Sequence, residues 1–246
     1  MARVGQYCID RWEASLVDLA SRKPLSPYYP AHPATLQRVY AVWQVESRSS
    51  GVEQARAMPL PPVPPWQRAE FQPVAVSRRG VVPNAYLSYP VARRACENAG
   101  KRLCTEDEWL RACRGSAAAA RYVAGRCNVF RSLHPAVVLH GHASFGHTDP
   151  RLNLVVDAVT GPLLRTTGEL VACRSGDPGE EIYDMVGNLD EWIADDKGVF
   201  LGGFYARSTT RGCDARIASH APAYYDYSLG TRCCRDLPSG QPAAAQ

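Results

Sequence analysis

Nine cysteines and six histidines carry most of the chemistry open to this 246-residue chain. The cysteines are Cys8, Cys96, Cys104, Cys113, Cys127, Cys173, Cys213, Cys233 and Cys234. None stands in a Cys-x-x-Cys pair, which speaks against a zinc ribbon or a thioredoxin-type dithiol. Wide spacing favours disulfides, and disulfides persist in an oxidising compartment. The odd count leaves at least one thiol free or intermolecular. Four of the histidines, His134, His140, His142 and His147, crowd one segment. His140 and His142 could bite one metal ion from a strand. Loop histidines in a Gly-rich segment are usually solvated or hydrogen-bonded instead.

Apolar residues make up 46% of the chain and charged residues 21%, an ordinary balance for a soluble globular protein. There is no apolar run of about 18 residues, so no membrane span is expected. The start, Met-Ala-Arg-Val-Gly, has no apolar signal region, which suits a cytosolic chain or a mature exported one. The net charge is +4, and Lys23, Lys101 and Lys197 are the only lysines among 28 basic residues. The arginines are scattered, so no nucleic-acid partner is expected.

The elements that must position these groups are short. Cys8–Glu13 reads as an opening strand. Residues 22–87 carry little periodicity, and the 22–83 part reads as an irregular insertion. Within it, Met58–Trp66 is polyproline-like, either an SH3-type ligand or an ordered irregular loop. A helix follows, with Ser88 to cap it, Pro90 in its first turn and Gly100 at its end. Ala92, Ala95, Cys96 and Ala99 share one face of it. A second helix opens at Thr105, which forms a capping box with Glu108. It buries Trp109, Ala112 and Cys113. Residues 116–180 read as loops and short strands. Ile182–Trp192, Val199–Tyr205 and Thr231–Cys234 read as strands of one small sheet. The expected organisation is a single domain over 1–237 with a flexible tail over 238–246.

Four stretches carry a family resemblance. They are Gly100-Lys101-Arg102-Leu103-Cys104-Thr105-Glu106-Asp107-Glu108-Trp109, Gly187-Asn188-Leu189-Asp190-Glu191-Trp192, Gly202-Gly203-Phe204-Tyr205 and Gly230-Thr231-Arg232-Cys233. The chain resembles the formylglycine-generating-enzyme, or sulfatase-modifying-factor, family. The resemblance implies an α+β, C-type-lectin-like fold with a small antiparallel sheet, two helices and much irregular structure. It also implies the pairings Cys96–Cys233 and Cys113–Cys213; apart from the resemblance, Cys127 and Cys173 are taken as a third pair. Cys8, Cys104 and Cys234 stay unassigned, although Cys8 and Cys234 could meet if the terminal strands are neighbours.

The resemblance further implies calcium. Asp184 and Glu191 would give side-chain oxygens, and Gly187 and Leu189 carbonyls, a hard-donor set that suits Ca²⁺. Asp184 and Glu191 could instead simply cap a tight turn. A second calcium site would use Asn128 and the carbonyl of Val129. The family's oxidase needs two thiols that bind copper, and those positions here read Arg207 and Gly212. Arginine cannot act as a thiolate. Iron-dependent relatives place their histidine ligands in a separate helical domain, for which this chain offers no candidate. Copper and iron are therefore not expected. Tyr205, Arg207, His220, Tyr224, Tyr225 and Tyr227 would lie near the family's substrate groove, as partner anchors or as rings packed on the sheet.

The resulting expectation is a non-catalytic binding or assembly module, braced by disulfides and calcium, secreted or periplasmic, with a protein or glycan partner. The alternative is a metal-dependent oxidoreductase, resting on the family and on the 134–147 histidines.

Overall fold

The computed structural model describes residues 1–115, 125–129, 133–207, 209 and 211–237. The expected tail over 238–246 and parts of the 116–180 segment lie outside the described residues. Five α-helices are described: α1 (Pro33–Glu46), α2 (Glu53–Ala57), α3 (Tyr89–Asn98), α4 (Glu106–Arg114) and α5 (Pro135–His140).

The cap of α4 forms as its residues dictate. Thr105 Oγ1 accepts from Glu108 N at 3.2 Å, and Glu108 Oε2 accepts from Thr105 N at 2.8 Å. Acidic side chains fill its first turn and Arg111 and Arg114 its last, both matching the helix dipole. α3 has Pro90 in its first turn, while Ser88 occupies the N-cap position without a side-chain capping bond. Both helices turn a cysteine inward, Cys96 and Cys113, and both are buried.

The expected single sheet is instead two four-stranded sheets. One orders Ala2–Val4, Tyr7–Ile9, Cys233–Asp236 and Arg102–Leu103, all antiparallel. The other orders Arg216–Ile217, Phe200–Leu201, Asp190–Trp192 and Leu229–Thr231, with the last pair parallel. The chain leaves the second sheet at Thr231 and enters the first at Cys233. Ile182–Tyr183 pairs separately with Arg174–Ser175. A turn with left-handed Asp184, Gly187 and Asn188 divides it from Asp190–Trp192.

The 22–83 insertion is more regular than its sequence shows. α1 buries Leu36, Val39 and Trp43, but exposed Val42 and Val45 on its other face blur the apolar period. Pro73–Ser77 pairs over five residues with Ala14–Asp18. The proline-rich run is an ordered loop: Val63 is buried, and Tyr29 donates its hydroxyl to the Pro61 carbonyl at 2.9 Å. Leu36, Val39, Trp43 and Phe71 of the insertion pack in one core with Trp192, Phe200 and Leu229.

Four disulfides brace this frame: Cys96–Cys233, Cys104–Cys234, Cys113–Cys213 and Cys127–Cys173. Cys8 is the free cysteine. It does not meet Cys234, although their strands are neighbours. The register sets Ile9 opposite Cys234 and Cys8 opposite Arg235, and successive strand residues point to opposite faces. Among the described residues no helix is long and apolar enough to cross a membrane.

Candidate groove and the replaced thiol positions

Arg207 stands where the resemblance calls for a reactive thiol, and its charge is already spent. Its guanidinium reaches the carboxylate of Asp190 at 2.8 and 2.9 Å and lies over the Phe204 ring. Asp190 is fully buried, and its Oδ1 also accepts from Gly203 N at 2.9 Å. Burial pushes the Asp190 carboxyl up to about 7, against the pull of Arg207. Gly212, where the resemblance calls for the second thiol, opens a 3₁₀ turn with Cys213. With eight cysteines in disulfides, no pair of thiols exists to share a metal.

The expected partner-binding set divides by burial. Tyr205 and Tyr227 are buried. Tyr205 donates to Asn153 Oδ1 at 2.7 Å, and the Tyr227 hydroxyl lies 3.2 Å from His134 Nε2. Neither ring is presented to a partner. Arg207, His220, Tyr224 and Tyr225 keep partial exposure. Tyr224 stacks on His220 with ring centroids 4.0 Å apart and donates to Asp226 Oδ2 at 2.7 Å. Tyr225 accepts from Arg38 of α1 at 3.2 Å, so the insertion forms one flank of this surface.

The four clustered histidines do not converge. His140 is held by Asp149 at 3.0 Å and sits against Trp43. His142 accepts from Ser144 N at 3.1 Å, and His147 contacts the Ala143 carbonyl at 3.1 Å. His134 packs between Phe204 and Tyr227. Burial, then nearby His147, lowers its tendency to protonate. Among the described residues no group of three His, Cys, Asp or Glu side chains is placed to hold a metal ion.

Two of the segments expected to bind calcium, around Asn128 and around Gly187, meet across 60 positions of chain. Asn188 N donates to the Asn128 carbonyl at 2.9 Å. A Cβ on Gly187 would lie 2.4 Å from that carbonyl oxygen, so glycine is required there for closeness as well as for its φ of 84°. The Asn128 amide orientation is determined, because Nδ2 donates to both Leu163 O and Asn188 Oδ1 at 2.8 Å. Its Oδ1 is then buried with no hydrogen-bond partner among the described residues. A hard cation fits that oxygen.

Glu191 fits a cation poorly. Arg232 reaches both its oxygens at 2.6 to 2.9 Å, and Trp109 Nε1 donates to Oε2 at 2.7 Å. Its acceptor capacity is filled. Asp184 Oδ2 accepts from Gly168 N at 2.6 Å, and burial pushes this carboxyl up to about 6. Glu13 joins the same cluster by accepting from Asn188 Nδ2 at 2.6 Å and Leu189 N at 3.1 Å. Burial, then Asp184 and Glu191, push its carboxyl well above the usual range.

Sequence reading missed Glu13, Trp109, Asp190 and Arg232 as members of these networks. The available signal was a charged residue flanked by buried apolar neighbours, as in Leu189-Asp190-Glu191-Trp192.

Residues 64–237 match the sulfatase-modifying factor enzyme 1-like domain. The chain belongs to this family. The formylglycine-generating enzyme of Streptomyces coelicolor (strain ATCC BAA-471 / A3(2) / M145) is 30% identical over 154 residues, covering 59% of this chain and 41% of that protein. The chain thus spans about two fifths of the length of this relative. Among solved structures, CarF aligns over 97% of this chain and 99% of its own, with a TM-score of 0.42 and 15% identity. PvdO from Pseudomonas aeruginosa aligns over 88% and 82%, with a TM-score of 0.38 and 16% identity.

Proposed function

We propose that the chain is a non-catalytic member of its family, an exported binding or assembly module whose partner is a protein or glycan. The carrying observation is the Arg207–Asp190 pair at the position where an oxidase of this family would need a thiol. One free cysteine, on the strand Tyr7–Ile9, cannot supply a two-thiolate centre. Four disulfides support an oxidising compartment.

The recognition surface in this reading is Arg207, His220, Tyr224 and Tyr225, flanked by Arg38. Rigid aromatic side chains make contact area at low entropic cost. Calcium belongs to the reading as a structural ion. Asp184 and the carbonyls of Gly187 and Leu189 would hold one ion, with Glu191 taken up by Arg232, and Asn128 Oδ1 with the Val129 carbonyl would hold a second. The first ion would supply a positive charge to a region crowded with carboxylates.

Two measurements test the reading. Elemental analysis of the purified chain should find calcium and no stoichiometric copper or iron. A Cys-x-Pro-x-Arg peptide incubated with it under air, with and without added copper, should keep its thiol. Conversion of that cysteine to an aldehyde would overturn the proposal.

A further inference from the structure

A cleft of about 640 Å³ opens between α4 and the turn that follows Arg211. Its lining is Glu106, Leu110, Leu201, Arg211, Cys213, Asp214 and Arg216. Leu110, Leu201 and Cys213 are its apolar part, and the charged groups stand around them. Both walls are held in place. The Cys113–Cys213 disulfide ties the last turn of α4 to the 3₁₀ turn Gly212–Asp214. Arg216 Nε bonds Glu106 Oε1 at 2.8 Å, and Arg114 pairs with Asp214.

The lining itself holds two carboxylates and two guanidiniums, and Arg114 pairs with Asp214 from outside it. Glu106 and Asp214 are matched by Arg216 and Arg114, while Arg211 is exposed and has no partner among the described residues. One guanidinium is therefore left over in a mainly polar cleft, in which Leu110 is the more accessible apolar side chain and Leu201 and Cys213 are buried. A guanidinium binds a carboxylate through two parallel hydrogen bonds. The two flanking carboxylates would repel a ligand of higher negative charge.

We infer that this cleft is a binding site for a single carboxylate borne on an apolar stem, with Arg211 as its anchor and Arg216 as a second donor. The ligand chemistry is that of a small organic acid or of a peptide ending in a free aliphatic residue. This inference stands apart from the proposed module function, because the cleft does not include Arg207 or the aromatic surface.

Isothermal titration of the full chain tests it with four probes: N-acetyl-leucine, neutral N-acetyl-leucinamide, inorganic phosphate, and a pentapeptide ending in leucine. N-acetyl-leucine should bind, more weakly as salt is raised, with the amide and phosphate each about tenfold weaker or worse. Tighter binding of the pentapeptide than of N-acetyl-leucine assigns the site to chain termini, and the reverse assigns it to small acids. Arg211→Ala should weaken N-acetyl-leucine about tenfold with no change in melting temperature, since the side chain is exposed and unpaired among the described residues. Glu106→Gln, which releases Arg216, should tighten it. Equal binding of acid and amide, equal binding of phosphate, or an unchanged affinity in Arg211→Ala would overturn the inference.

Discussion

Arg232 and Glu191 meet at the seam between the two four-stranded sheets, with Nη2 to Oε1 at 2.6 Å and Nε to Oε2 at 2.7 Å. Glu191 lies in the central strand pair of one sheet, and Arg232 is the residue at which the chain crosses into the other. Both are buried. Arg232 also donates to the carbonyls of Asp10 at 3.2 Å and Tyr183 at 3.0 Å, so one side chain ties the opening strand, the 182–183 strand and the sheet seam.

Arg232→Met should therefore be severe, with a loss on the order of 3–5 kcal/mol, because it leaves a buried carboxylate without its partner. Denaturant unfolding measures it. Adding Glu191→Leu to that variant should recover part of the loss, since two apolar groups leave no stranded charge. A double variant no better than the single one would show that the pair acts only by packing.

Arg207→Ala should cost about 2 kcal/mol through Asp190, whose Oδ2 would lose its guanidinium partner. Asp190→Asn in the same background should restore most of it, because the amide oxygen can still accept from Gly203 N. This matters for binding experiments: partner binding should be compared between the double variant and Asp190→Asn, so that the guanidinium is removed without unfolding the groove. Equal stability of Arg207→Ala and wild type would refute the coupling.

Alkylation in denaturant without reductant should label Cys8 and no other cysteine, and after reduction all nine. The longer bridges close separations of 137, 130 and 100 residues. Chain-entropy arguments give each about 4–5 kcal/mol, so reduction should lower the melting temperature steeply. Recovery of a peptide with Cys8 bridged to Cys234 would contradict the strand register.

Glu108 gives the stability a defined pH dependence. Burial alone would raise its carboxyl, but Arg102, which binds both its oxygens at 2.7 Å, and the Thr105 amide hold it below the usual carboxylate range. The lowered group contributes stability above its unfolded pKa of about 4.3 and loses it as pH falls through the folded value. Glu108→Gln should thus be destabilised by about 1 kcal/mol at pH 7, and the gap from wild type should close in acid below that range. A gap independent of pH would mean the ionised form contributes nothing.

Asn128→Ala should diminish the rise in melting temperature that added calcium gives by linkage, whatever the variant does to the calcium-free value. An undiminished calcium response would move the second ion away from Asn128 Oδ1.

Much of the framework was legible because its signals are local. The Thr105–Glu108 cap, the inward cysteines of α3 and α4, and the Gly-Asn-Leu-Asp-Glu-Trp turn each depend on residues within a few positions of one another. The family pattern gave Cys96–Cys233 and Cys113–Cys213, which the structure bonds, and Cys127–Cys173, assumed apart from that pattern, is bonded too. α1 was not legible, because solvent-facing Val42 and Val45 put apolar residues on both faces of its pattern. Cys104–Cys234 was not legible either, because only the register of Tyr7–Ile9 against Cys233–Asp236 turns Cys8 aside.

By itself the sequence determined the membership, the cysteine pattern and the presence of Arg207 and Gly212 rather than thiols, since residue identities alone decide what chemistry a position can offer. Tertiary structure decided what surrounds them. It set Arg207 on Asp190, withdrew Tyr205 and Tyr227 from the surface, committed Glu191 to Arg232 and left Asn128 Oδ1 and Arg211 without partners among the described residues. Those outcomes depend on which buried charges find each other across long stretches of chain. That choice is made by packing and desolvation, where a partner a few ångströms away counts and a partner a few residues away does not.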